Sequence, residues 1–203
     1  MLQNVDKFGN EPALSIKDRN GNWQTDTWND FYQCVIDISK SLLACNIGID
    51  EKISIYSYNR REWYSCYAAA QYINSVAVGI YHTCSSSEVE WIVGNSDSKI
   101  VFVGNNPNDN GETDKMPNYR LLRILDKLDK IEYVVLMEGV EKLEHTKIIT
   151  WEEFISKGST INDSNVKERN ESINLESTAS LIYTSGTTGN PKGVELTYDN
   201  WQF

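Results

Sequence analysis

The sequence predicts an α/β fold, a mostly parallel sheet covered by helices on both faces, and two features carry that prediction. Strand-like and helical apolar patterns alternate five times along the chain. The strand-like segments are continuous runs of Val and Ile, as strands buried on both faces require.

Taken in order, Phe31, Val35, Ile38, Leu42 and Cys45 recur at helical spacing after Thr27, and Gly48 is placed to end that helix. "EKISIYSY" carries Ile53 and Ile55 at strand spacing. Asn59, with Glu62 three residues later, has the form of a capping box opening a helix through Trp63, Tyr67, Ala70 and Ile73. "VAVGIY" (76–81) reads as a buried strand, Ser87 with Glu90 caps a short helix through Val93, and "KIVFVG" (99–104) is the next strand, closed by Gly104. A polar loop over 105–117 precedes Leu121, Leu125 and Leu128, which mark a helix, and "IEYVVLM" marks a strand. "TWEEFISKG" predicts a last short helix after Thr150. Residues 159–177 lack apolar periodicity and read as a surface connection into the final strand, Ala179 to Tyr183.

A chain of 203 residues can bury about 70% of its unfolded surface, and 40% apolar with 24% charged residues is the composition of an ordinary soluble protein. The net charge of −10 and pI near 4.7 exclude attraction of nucleic acid or an anionic membrane surface by a general field. An anionic ligand would need a local cationic site. Cys34, Cys45, Cys66 and Cys84 form no C-x-x-C pair and no secretory leader opens the chain, which together predict reduced, buried thiols in a cytoplasmic protein.

Residues 63–87 contain no Asp, Glu, Lys or Arg over 25 positions, long enough to span a bilayer. Gln71, Asn74, Ser75, His82 and Thr83 interrupt the run, and its period changes at Asn74. The expectation is a buried helix followed by a buried strand, with no transmembrane segment.

"YTSGTTGNPKGV" (183–194) follows the last strand directly. Ligands of open parallel sheets sit beyond the carboxyl ends of strands. Gly186, Gly189 and Gly193 let backbone N–H groups approach a ligand, Thr184, Ser185, Thr187 and Thr188 offer hydroxyl donors, and Lys192 adds a mobile point charge. That set suits phosphate oxygens better than it suits an idle surface turn, although the residue types are also those of turns. Gly186 and Lys192 have the spacing of a Walker A loop, but Pro191 stands where that motif needs Gly, and Gly193 where it needs Ser or Thr. A different phosphate-binding architecture is expected.

The same segment resembles the phosphate-binding signature of the adenylate-forming superfamily, which includes acyl-CoA synthetases, luciferases and the adenylation domains of peptide synthetases. "YNRREWYSCYAAAQYINSVAVGIYHTCSSSEVEWIVGNSDSKIVFV" resembles the corresponding part of long-chain acyl-CoA synthetases, and "GIYHT" with "TWEEFISKG" is most similar to their bubblegum-type branch. The resemblance covers nearly all of residues 8–203. It implies that Thr184, Ser185, Gly186, Thr187, Thr188 and Gly189 wrap the phosphates of ATP, that Lys192 reaches them as the catalytic cation, and that Thr184 is a magnesium contact. It implies no chemistry for "SSSEVEW".

By the same resemblance the activity is a long-chain fatty acid–CoA ligase using ATP, Mg²⁺ and coenzyme A. Family members continue well past this loop, so residues 1–203 are expected to be the N-terminal part of an AMP-binding domain. Peripheral association of the complete enzyme with an organelle membrane stays open. The alternative is a non-catalytic nucleotide-binding or interaction module. His82 and His145 read as structural or surface residues rather than catalysts, and Trp63 and Tyr67 as core rather than a stacking platform.

Overall fold

The computed structural model describes residues 1–17, 20–106, 111–184 and 189–201. Its strands are β1 (Pro12–Lys17), β2 (Trp23–Thr27), β3 (Lys52–Ser57), β4 (Val76–Tyr81), β5 (Ile100–Gly104), β6 (Tyr133–Leu136), β7 (Ile148–Thr150), β8 (Thr178–Thr184) and β9 (Lys192–Thr197). Strands β1 and β2 form an antiparallel hairpin of their own. The rest make one sheet in the order β7-β6-β5-β3-β4-β8-β9, parallel throughout except for the β8–β9 pair.

The helices are α1 (Leu2–Phe8), α2 (Trp28–Ala44), α3 (Arg61–Tyr72), α4 (Ser86–Ser96), α5 (Pro117–Leu122), α6 (Trp151–Lys157) and α7 (Asp163–Glu171). Because side chains alternate between the two faces of a strand, the sheet feeds two cores. Ile53, Ile55, Ile100 and Phe102 pack with Val35, Ile38 and Leu42 of α2, Cys66 and Ala70 of α3, and Phe154 of α6. On the opposite face, Tyr56, Val78, Val101 and Val103 pack with Val89, Ile92 and Val93 of α4 and Leu121 of α5. Each fully buried side chain of this size contributes about 1.5–3 kcal/mol, so both layers are fixed to the sheet. The expected α/β architecture with helices on both faces is the one observed.

Several local expectations change. Helix α2 ends at Ala44 and the chain turns at Asn46, whose φ is 56°, because Asn tolerates the left-handed region. Gly48 is therefore no helix cap; its N–H donates to the Glu51 carboxylate at 2.7 Å. Helix α4 is capped by Ser85 and Glu88, two residues before the expected Ser87 and Glu90. The run of three serines offers the same spacing twice, and the earlier one is used, with Val89, Ile92 and Val93 buried.

Asn59 does not cap α3, which opens after Arg60 with no side-chain cap; Glu62 instead pairs with the Arg60 guanidinium. Leu121, Leu125 and Leu128 are buried as expected, but on α5, on a separate 3₁₀ turn at Leu125–Lys127 and directly after that turn, respectively. Residues 159–177 are not a plain connection. They contain α7, which buries only Val166 and is held mainly by polar groups. Arg169 donates to the carbonyls of Ile47 at 3.0 Å and Ile73 at 2.7 Å, and Asn170 to that of Tyr72 at 3.0 Å.

The uncharged run over 63–87 resolves into α3, β4 and the start of α4, the helix-then-strand arrangement expected of it. Among the described residues no helix is long and apolar enough to cross a membrane.

Candidate functional site

Strands β3, β4 and β8 are parallel neighbours, so their carboxyl ends reach the same edge of the sheet. Strand β8 leaves that edge at Thr184 and returns as β9 at Lys192. The antiparallel register sets Thr184 opposite Lys192 and Tyr183 opposite Gly193. Directly opposed residues share a face of the sheet. The hydroxyl at the start of the segment and its cation are thus brought side by side, both exposed to solvent.

Gly189 has a φ of 95°, with nothing within 4 Å of the position a Cβ would take. Glycine is required there by backbone conformation rather than by space. Ser185, Gly186, Thr187 and Thr188 lie outside the described residues.

The other face of the pair is closed. Tyr183 is 8% exposed, and its hydroxyl donates to Asn95 Oδ1 at 2.7 Å. Burial pushes the Tyr183 phenol up, so it is a neutral donor at physiological pH. The indole N–H of Trp91 donates to the carbonyl of Pro191 at 2.8 Å. Both partners come from α4, for which the sequence reading assigned no chemistry.

A cavity of about 470 Å³ opens beside the pair, lined among others by Trp63, Tyr67, Gly79, His82, Ile182 and Trp201. Its volume is in the range of small-molecule sites. Trp63 and Tyr67 stack with ring centroids 5.1 Å apart and planes 12° from parallel. Both pack against the core as expected, but only in part: α3 packs on the sheet through Cys66, Ala69 and Ala70, and the two half-buried rings also line the cavity wall. Helical spacing shows that residues share a face but does not tell a packed face from a lining one. Ile182, on the cavity wall, shares the sheet face of Thr184 and Lys192, while Leu181 and Tyr183 reach the same cavity from the next positions of β8.

Of the remaining chemistry-bearing residues, the cysteines are inert and His145 stands apart from this edge, whereas His82 is on the cavity wall. Burial pushes the thiols of Cys34, Cys66 and Cys84 up, and that of Cys45 to about 11, so all four stay protonated, and none is in a disulfide. Cys45 and Cys66 are buried as expected; Cys34 and Cys84 are only half-buried. His145 has its Nε2 3.2 Å from Asp126 Oδ1 and accepts from the Lys147 N–H, a surface loop contact. His82 packs edge-on against Tyr58, ring centroids 4.8 Å apart.

Among the described residues no group of three or more His, Cys, Asp and Glu is placed to hold a metal ion. Thr184 alone supplies one neutral oxygen. That fits Mg²⁺ only as an ion already carried by phosphates and water, the way it is commonly bound at nucleotide sites.

The profile of the AMP-binding enzyme family matches residues 2–203, and the chain belongs to that family. Within it, the chain is 31% identical to the long-chain-fatty-acid–CoA ligase ACSBG2 of Gallus gallus over 196 residues, covering 97% of this chain and 24% of that protein. Against the Homo sapiens ACSBG2 ligase the identity is 29%, with 98% of this chain and 28% of that protein covered. The chain therefore spans about a quarter of the length of the curated relatives it matches. Among solved structures, the anthranilate CoA ligase AuaEII in complex with anthranoyl-AMP superposes with a TM-score of 0.72 at 17% identity, over 97% of this chain and 33% of that one. At that identity the likeness is one of fold. The resemblance to bubblegum-type acyl-CoA synthetases read from the sequence is the one these relatives bear out.

Proposed function

We propose that residues 1–203 are the N-terminal part of the AMP-binding core of an acyl-CoA synthetase acting on long-chain fatty acids, and that residues 183–194 hold the phosphates of ATP. The first half-reaction is attack of a carboxylate oxygen on the α-phosphorus, with cleavage of the bond to the β-phosphate oxygen and departure of pyrophosphate. In the second, the thiol sulfur of coenzyme A attacks the acyl carbon and AMP leaves with its oxygen.

The observation that carries this reading is the register that sets Lys192 opposite Thr184 at the carboxyl edge of the sheet. Pyrophosphate leaves with more negative charge than it carried as part of ATP. Lys192 is the sole cation in the sequence after Arg169, and a fixed cation at that place stabilises the charge as it develops. Thr184, with the hydroxyls and N–H groups of Ser185 to Gly189, positions the phosphate oxygens without balancing their charge. Magnesium, bound with the nucleotide, would supply further charge neutralisation, and Thr184 is the residue to contact it. The choice of a fatty acid rests on the kinship with the ACSBG2 ligases.

The test is a titration of Mg·ATP into the chain, run beside an assay for pyrophosphate release with a long-chain acid present. Saturable binding that competes with pyrophosphate supports the reading. Release of pyrophosphate by residues 1–203 marks a catalyst, and binding without release is expected both of an N-terminal part and of a nucleotide-binding module. Absence of binding would contradict the phosphate role of the loop.

A further inference from the structure

Helix α4 has two working faces. Val89, Ile92 and Val93 are buried against the sheet and fix the helix there. Its axial position is set by the capping box, in which Ser85 accepts from the Glu88 N–H and Glu88 accepts from the Ser85 N–H. On the other side stand Trp91 and Asn95, four positions apart and therefore adjacent on the helix surface.

Both are exposed residues, Trp91 at 38%, and neither belongs to a core cluster. Exposed polar tips usually bond to water. These two bond to opposite feet of the same loop. Trp91 Nε1 donates to the carbonyl of Pro191, the peptide group that leads directly into Lys192. Asn95 Oδ1 accepts from the hydroxyl of Tyr183, the residue immediately before Thr184.

We propose that α4 is the positioning element of the phosphate loop, with Trp91 setting the backbone ahead of Lys192 and Asn95 setting Tyr183 ahead of Thr184. This rests on the phosphate-binding reading of residues 183–194. Neither side chain touches the phosphates; each acts through the residue it holds. The ladder between β8 and β9 ends at the Thr184–Lys192 pair, so sheet pairing does not fix the direction in which the two strands leave the edge. Two hydrogen bonds from one rigid helix supply that direction. Removing either widens the range of positions open to Lys192 or Thr184, and misplacement of such groups weakens the grip on an anion.

The experiment titrates magnesium pyrophosphate into the unaltered chain and into Trp91→Phe, Asn95→Leu, Tyr183→Phe and the Asn95→Leu/Tyr183→Phe pair, with thermal midpoints recorded for all. Phe keeps the ring of Trp91 and removes only its donor. Each single change should weaken binding by about two- to tenfold, the worth of one neutral hydrogen bond. The double variant should be no weaker than either of its single parents, because both delete the same bond. Midpoints of Trp91→Phe and Asn95→Leu should not follow the affinities, since the buried face of α4 is untouched; Tyr183→Phe alters a buried residue and is read through the double variant.

If the unaltered chain does not bind pyrophosphate, the phosphate reading falls and the positioning role falls with it. Binding by the unaltered chain with full affinity retained in the single variants overturns the positioning role alone. Affinity losses that track losses of thermal midpoint, or additive losses in the double variant, would make α4 merely structural and overturn it as well.

Discussion

The ring of Tyr183 lies over the backbone of Gly193, so close that a Cβ on Gly193 would stand 3.1 Å from Cζ and 3.3 Å from the hydroxyl oxygen. The two are cross-strand partners one position before the last pair of the ladder, Thr184–Lys192. Tyr183 cannot easily yield, since it is buried and tied to Asn95. Gly193→Ala should therefore destabilise the chain by about 1–3 kcal/mol, the usual cost of overpacking, read as a lower urea midpoint with unchanged slope. A midpoint equal to that of the unaltered chain would show that the ring is free to move.

Gly189 sets a different constraint, because its φ of 95° is met with open space around the position of a Cβ. Gly189→Ala should cost about 1–2 kcal/mol through backbone conformation alone, or shift the loop to avoid the cost. Either way ATP affinity should fall, and titration of Mg·ATP into the variant measures it. Affinity equal to that of Gly189 would mean that the loop's ligand-binding form does not use this turn.

Arg169 is the main fastening of α7. Hydrogen bonds to a charged group are worth about 1.5–3 kcal/mol, and Arg169→Ala should destabilise the chain by about that amount. The amides of residues 163–171 should exchange with solvent before the sheet does. Exchange in α7 that still keeps pace with β3 and β4 would show that Val166 and the amide contacts suffice.

That helix also shows where sequence reading stops. The central strands were legible because a strand buried on both faces must be apolar at successive positions, as in Val101, Phe102 and Val103. Helix α7 was not, because its fastening is a guanidinium and two amides, Asn170 and Asn74, meeting backbone carbonyls, and carbonyls leave no trace in a sequence. The segment 183–194 was singled out from residue types alone. Its setting was not legible: the pairing of Thr184 with Lys192 needs β9, whose residues are mostly exposed and whose apolar alternation is only Val194 and Leu196. Trp91 and Asn95 carry the signal of adjacent helix positions, but their partners lie in distant sequence.

The cap of α4 titrates. The Ser85 backbone N–H and hydroxyl hold the Glu88 carboxyl below its ordinary value of 4.5. A carboxyl depressed in the folded state contributes stability above its unfolded pKa and loses it as pH falls through the folded value. Stability should therefore decline below about pH 4.5, and Glu88→Gln, which can still accept from the cap without titrating, should reduce that decline. Urea midpoints at about pH 7 and about pH 3.5 for both proteins give the comparison. An equal decline in both would mean that the Glu88 cap makes no contribution to acid sensitivity.

The most direct test of the phosphate assignment is the affinity of magnesium pyrophosphate for the chain with Lys192 intact, replaced by Ala, and replaced by Arg. A charge-assisted hydrogen bond of about 1.5–3 kcal/mol corresponds to roughly ten- to hundredfold in binding. Lys192→Ala should lose that factor, and Lys192→Arg should recover part of it because the charge returns on a different geometry. Equal affinity in all three would contradict a phosphate role for Lys192, and with it the reading of this edge of the sheet as the place where ATP is held.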